Sequence, residues 1–319
     1  MTLSFSHLRR RRVRGRSQAP HPVAFVVGVP RSGTTLMRLM LDSHPELALP
    51  PETKFVPRFI RASGGLRFGP DTAARAIVAD PGRRWDDFGL DPAELLGRFR
   101  RIEPFNTADA LRTFYELYAE GRGKPRWGDK TPEYLIEMTA MQETLPEARF
   151  VHVIRDGRDA SLSQNARRRR RGHEAVPSGD LARRWRDRIL AAREAARGLE
   201  GYLEVRFEDL VEEPEAELRR VCELIELDYD PAMLAYHDDA EERLQEMAAP
   251  VRLAGGRHGH EAGERVSAHA MTTKPPSSER VSVWKQEMSE AQNREFLETA
   301  GRLLDELGYE TARRAAPDG

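Results

Sequence analysis

Cysteine is almost absent: Cys222 is the only one in 319 residues. That excludes an internal disulfide and any metal site built from several thiolates. Cys222 lies in LRRVCELIEL, where a small buried hydrophobe fits, so a core thiol is expected. No run approaches the ~20 apolar residues of a membrane span. Excess charge is missing too. Lys and Arg number 51 against 52 Asp and Glu, giving a formal net charge of −1, so any affinity for anions has to be local. The opening MTLSFSHLRRRRVRGRSQAP is basic without an apolar core. It reads as a disordered arm over residues 1–22 rather than a secretory signal, with membrane or polyanion attachment as its secondary reading. What is present is 39% hydrophobic and 32% charged residues. This is a globular profile with material for a sizeable core, and a cytoplasmic enzyme is the default expectation.

Apolar patterning predicts an α/β fold. Val23 to Val29 reads as a buried strand, and Thr34 to Asp42 carries Leu36, Met37, Met40 and Leu41 at helical spacing. Arg149 to Ile154 is a second buried strand, followed by a turn and a helix from Asp159. Tyr202 to Phe207 is a third, leading to a helix with Pro214 in its first turn and a stripe of Leu218, Val221, Cys222 and Ile225. Strands alternating with helices predict a central parallel sheet flanked by helices on both faces. Residues 57–126 read as helical and irregular. Residues 237–278 lose the apolar pattern and read as a long loop or lid. Ser289 to Leu307 reads as an amphipathic helix with a Ser cap. No internal repeat or clean linker divides residues 23–310, and 311–319 reads as a tail.

The turn after the first strand carries the chemistry. Gly28 and Gly33 have Walker A spacing, but Thr34 and Thr35 stand where Lys-Ser/Thr belongs. Backbone N–H groups at a helix N-terminus still form an anion cradle, and Ser32, Thr34 and Thr35 add hydroxyls. Lost is the point charge that reaches the outer phosphates of a triphosphate. Arg31 supplies a cation from another direction, so the loop suits a 5′-phosphate better than Mg²⁺-triphosphate.

The stretch VPRSGTTLMRLMLDSHPEL resembles the donor-binding loop of sulfotransferases that use 3′-phosphoadenosine-5′-phosphosulfate (PAPS). It is most similar to protein-tyrosine sulfotransferases and related bacterial enzymes. The resemblance implies a P-loop-like three-layer fold, with residues 23–310 as the catalytic domain. It also implies that Arg31, Ser32, Gly33, Thr34 and Thr35 hold the 5′-phosphate and sulfonate. A second stretch, VIRDGRDASLS, places Arg155 at a strand end and Ser163 eight residues on, the family spacing for a 3′-phosphate clamp. EVRFEDLVEEPEAEL also matches, with a role that looks structural. The C-terminal R-K-G motif of cytosolic small-molecule sulfotransferases is missing from SSERVSVWKQEM, where Arg280 and Ser282 are candidate substitutes.

For the reaction, the resemblance implies Glu52 in LPPETKF as general base. Lys130 in WGDKTPEYL and Arg31 would stabilise the leaving group. His44 is the competing base, with pinning the turn as its other reading. Asp129 reads as a helix cap with Pro132 in the first turn. Sulfuryl transfer depends on positioning and electrostatics, and the transferred group is less charged than a phosphoryl, so no metal is required. Arg167–Arg171 reads mostly as a solvated face, with a basic rim for an acidic acceptor as the alternative.

The partner implied is a hydroxyl-bearing acceptor: peptide, sugar, lipid or natural product. A homodimer stays open. Nucleic acid is disfavoured, because aromatics do not interleave the Arg-rich tracts and net charge is slightly negative. The alternative enzyme is a P-loop-related nucleotide kinase or NTPase lacking the Walker lysine.

Overall fold

The strand β1, Val23–Gly28, is buried along its whole length. Burial on both faces is what a central parallel strand needs, and it is why VAFVVG shows no polar alternation. Val23, Phe25 and Val27 enter one core, and Ala24 and Val26 enter the other. These placements come from a computed structural model that describes residues 21–64, 68–79, 85–249, 251–252, 258–260, 262–267 and 269–311. Most of the basic arm and of the tail lies outside them.

The remaining strands are β2 (Leu47–Ala48), β3 (Arg126–Trp127), β4 (Asp129–Lys130), β5 (Ala148–Ile154), β6 (Tyr202–Arg206), β7 (Val251–Arg252) and β8 (His258–His260). The main sheet has the order β4-β1-β5-β6, all parallel. Its register sets Val26 opposite Lys130 and Gly28 opposite Val153. At Gly28 a Cβ would lie 2.7 Å from the Val153 carbonyl oxygen, so only glycine lets the strand end pass β5.

Helices in chain order begin with α1 (Thr34–Asp42), α2 (Val56–Ala62), α3 (Pro70–Val78), α4 (Pro92–Phe99) and α5 (Thr107–Gly121). Then come α6 (Met138–Thr144), α7 (Gly157–Arg170), α8 (Ser178–Ala196), α9 (Phe207–Glu212) and α10 (Pro214–Leu224). The last four are α11 (Ala240–Gln245), α12 (Glu264–Ser267), α13 (Trp284–Glu287) and α14 (Glu290–Glu306). Helices α5, α8 and α14 fill the core on one face of the sheet, and α1, α9 and α10 fill the other. That is the three-layer arrangement expected from the alternation of strands and helices. Ser289 closes α14 with a reciprocal capping box to Gln292. Cys222 is a buried core thiol whose pKa burial pushes up to about 11.

Residues 237–278 carry more structure than a loop. Ala240, Leu244 and Met247 sit in the second core. Arg243 pairs with Asp42 at the end of α1, and Glu246 pairs with the fully buried Arg38 at 2.9 Å. Further on, Arg265 forks onto both carboxylate oxygens of the buried Asp87. Paired charges to α1 and Asp87, added to these few apolar contacts, hold its described residues, which is why its apolar pattern fades.

Candidate active site

A cavity of about 420 Å³ opens where β1 and β5 end. This is the edge at which open parallel sheets bind ligands. The turn that builds its floor is tight. Arg31 and Gly33 have φ of 77° and 96°, and Ser32 N–H donates to the Val29 carbonyl at 3.1 Å. The first residue of α1 follows at once, with no side-chain cap, so its first-turn N–H groups have no intrahelical partner. Gly33, Thr34 and Thr35 line the cavity. A Cβ at Gly33 would sit 2.3 Å from the Phe207 ring. Gly33→Ala therefore combines left-handed backbone strain of about 1–2 kcal/mol with displacement of that ring. Its melting temperature is expected to fall by several degrees, and a calorimetric scan checks this.

Cations surround the turn. Arg155, directly after β5, donates to the Arg31 carbonyl at 3.3 Å and the Arg280 carbonyl at 2.5 Å, and its guanidinium lies 4.6 Å from the Phe207 centroid. Its Nε and the Ser32 hydroxyl are buried without a hydrogen-bond partner among the described residues. Arg31 Nε donates to Ser163 Oγ at 3.0 Å, so the two candidate phosphate readers meet across the cavity. Burial, followed by repulsion from Arg167, Arg155, Arg170 and Arg280, lowers the Arg31 pKa to about 10. Like charges gathered this closely suit an anionic ligand, and the unpartnered donors supply places for its oxygens.

At the other end of the cavity, β4 brings Lys130 beside β1. Its ammonium is fully buried, 2.8 Å from Glu52 Oε1 and 3.4 Å from Thr35 Oγ1. Burial lowers the Lys130 pKa, and the adjacent Glu52 opposes the shift. Glu52 lines the cavity and also pairs with Lys54 at 3.0 Å. His44 lies elsewhere: Glu46 N–H donates to its Nδ1 at 3.1 Å, leaving Nε2–H to donate to the Asp228 carbonyl at 2.9 Å. Both ring nitrogens are engaged in pinning the turn. Asp129 is not a helix cap. It is buried on β4, and Thr131 takes the position before the short 3₁₀ turn Pro132–Ile136.

Further residues line the cavity beyond the donor loop, the clamp and Glu52. Phe207, in the strand-to-helix segment expected to be structural, packs against Gly33 and under Arg155. Of the five consecutive arginines, Arg167 and Arg170 line the cavity, one helical turn apart on α7. Arg280 lines the same cavity, whereas Ser282 lines a neighbouring one. His269 also faces in, and burial with the nearby Lys130 and Arg31 charges lowers its pKa to about 3, so it is neutral at neutral pH. Its segment has no regular periodicity that could have singled it out.

A glycine turn feeding a helix N-terminus at the edge of a parallel sheet, ringed by arginines, makes an α/β domain with a site suited to a phosphorylated ligand. Residues 22–231 match the Sulfotransferase family, and the chain belongs to it. Protein-tyrosine sulfotransferase A of Caenorhabditis elegans is 29% identical over 216 residues, which cover 67% of this chain and 52% of that protein. The chain thus spans about half the length of that relative. Nodulation protein NoeE of Sinorhizobium fredii is 27% identical over 324 residues, covering 95% of this chain and 70% of that protein. The sulfotransferase domain from the curacin biosynthetic pathway shares the fold, with a TM-score of 0.57 at 18% identity over 91% of this chain and 99% of that one. Among the described residues no helix is long and apolar enough to cross a membrane.

Proposed function

We propose that the protein transfers a sulfuryl group from PAPS to an acceptor hydroxyl. The observation that carries this reading is the Lys130 ammonium, buried between Thr35 of the anion cradle and Glu52. It joins the place for a phosphosulfate to the group that can take a proton. Ser32, Gly33, Thr34 and Thr35 hold the 5′-phosphosulfate, with Arg31 beside them. Arg155 and Ser163 read the 3′-phosphate, and Arg280 lies within reach of the same group. As the acceptor oxygen bonds to sulfur, Glu52 takes its proton. The bridging S–O bond breaks, and Lys130 and Arg31 offset the charge that builds on the departing phosphate oxygen. The products are the sulfated acceptor and adenosine 3′,5′-bisphosphate. Positioning and fixed charge do the work, as in phosphoryl transfer.

The acceptor is a hydroxyl compound of peptide, sugar, lipid or natural-product type, and Arg167 and Arg170 form a basic rim beside its entry. Incubation with labelled PAPS and an extract of the producing cells tests the activity. A product heavier by one sulfo group supports it, and label that is never transferred contradicts it. Arg155→Ala tests the 3′ clamp. A charge-assisted hydrogen bond contributes roughly 1.5–3 kcal/mol, so adenosine 3′,5′-bisphosphate should bind about 10–100-fold more weakly. Adenosine 5′-phosphate, which lacks the 3′ group, should bind as before, and isothermal titration compares the two.

A further inference from the structure

The residues next to Glu52 and Lys130, Thr53 and Asp129, are also paired. Thr53 Oγ1 donates to Asp129 Oδ2 at 2.7 Å, and Thr53 N–H donates to Thr131 Oγ1 at 3.1 Å. Tyr115 OH donates to the same Asp129 oxygen at 3.0 Å. Tyr134 OH lies 2.7 Å from Thr53 Oγ1 and accepts from Val56 N–H at 3.2 Å. An ionised carboxylate only accepts, and the Thr53 hydroxyl has one proton. The proton order follows: Tyr134 donates to Thr53, and Thr53 and Tyr115 donate to Asp129. Thr53, Tyr115, Asp129, Thr131 and Tyr134 are all buried.

A carboxylate buried among hydroxyls is costly, and filling its place with an apolar side chain would normally cost less. Burial raises its pKa to about 6, with the hydrogen bonds from Thr53, Thr131 and Tyr115 opposing the rise. Its geometry offers a reason to keep it. Two adjacent residues on each chain segment form two pairs side by side, Thr53 with Asp129 and Glu52 with Lys130. The other end of the Glu52 segment is also held, since Asp42 Oδ1 accepts from Leu49 N–H at 2.7 Å and Arg38 Nε donates to the Leu49 carbonyl at 3.0 Å. We propose that Thr53, through its bond to Asp129, is a positioning residue that sets the register in which Glu52 faces Lys130. This rests on the reading of Glu52 as the base.

The test uses the full chain, PAPS, and water as the acceptor. Water is a hydroxyl acceptor that needs the same base, and release of adenosine 3′,5′-bisphosphate is the readout. Thr53→Val keeps the shape and removes the hydroxyl. It should slow release about 10–100-fold, the scale of a misplacement near 1 Å, while adenosine 3′,5′-bisphosphate binds within about twofold of wild type. Thr53→Ser restores the hydroxyl and should restore the rate. Tyr134→Phe, a milder change, should give a smaller loss of the same kind and serves if the Val variant folds poorly. Wild-type release by Thr53→Val or by Tyr134→Phe, or equal losses in the Val and Ser variants, overturns the proposal. Glu52→Gln in the same assay separates the two ideas. If it is slow while Thr53→Val is fast, only the positioning role fails; if it runs at wild-type rate, the base assignment fails and this inference with it.

Discussion

Glu52→Gln is expected to lose about 10²–10⁴ in kcat and to bind adenosine 3′,5′-bisphosphate as wild type does. An acceptor alcohol is far too weak an acid to ionise at neutral pH, so its proton has to leave as the O–S bond forms. Glu52 lines the cavity and stands 2.8 Å from Lys130, so under the proposed function the base would lie beside the cation that meets the leaving group. Glutamine keeps the shape and an acceptor oxygen but has no basicity. His44→Asn is the control. His44 spends both ring nitrogens on the turn at Glu46 and Asp228, so its loss should lower stability more than turnover. A dead His44 variant beside a fully active Gln variant would reverse the assignment. Rates are measured with the acceptor that the mass analysis identifies.

Lys130→Ala is expected to lower kcat by about 10²–10³, the range seen when one donor to a developing oxyanion is removed. Donor affinity should stay near the wild-type value, because the charge on the bridging oxygen builds only in the transition state. Burial makes the lysine effective, because its field on a nearby oxygen is screened less than at the surface. The same burial means that Ala leaves Glu52 with Lys54 as its remaining cation pair among those described here. Steady-state kinetics beside calorimetry checks the split. A variant that loses affinity but keeps kcat would make Lys130 a ground-state binding group.

The glycine turn and its flanking elements were legible in the sequence. A buried strand, a glycine turn and an apolar helical stripe are local signals, and they placed β1, Arg31–Thr35 and α1 where the fold has them. Arg155 and Ser163 were singled out by the family resemblance of one strand–helix unit, and both line the cavity. The reaction end was harder, because it depends on distant segments meeting. Strand β4 has two residues, too few for any periodicity, yet it alone sets Lys130 beside β1. Asp129, one residue earlier, carries an ordinary cap signature, an Asp shortly before a Pro. Only the arrival of Thr53 and Tyr115 shows it to be a buried acceptor. His269 comes from a segment whose long-range ion pairs, such as Arg265 with Asp87, leave no periodic trace. Phe207 was seen as part of a strand-to-helix turn, but its contact with Gly33 exists only once β6 lies beside β5.

Under the proposed function the donor site reads a 3′-phosphate at Arg155 and lacks the Walker lysine. Calorimetric titration of the full chain with adenosine 3′,5′-bisphosphate in EDTA, set beside ATP with Mg²⁺, tests it most directly. Tight metal-free binding of the bisphosphate, with ATP much weaker, is the expected result. Mg²⁺-dependent ATP binding tighter than that of the bisphosphate would contradict it and return the protein to the kinases and NTPases.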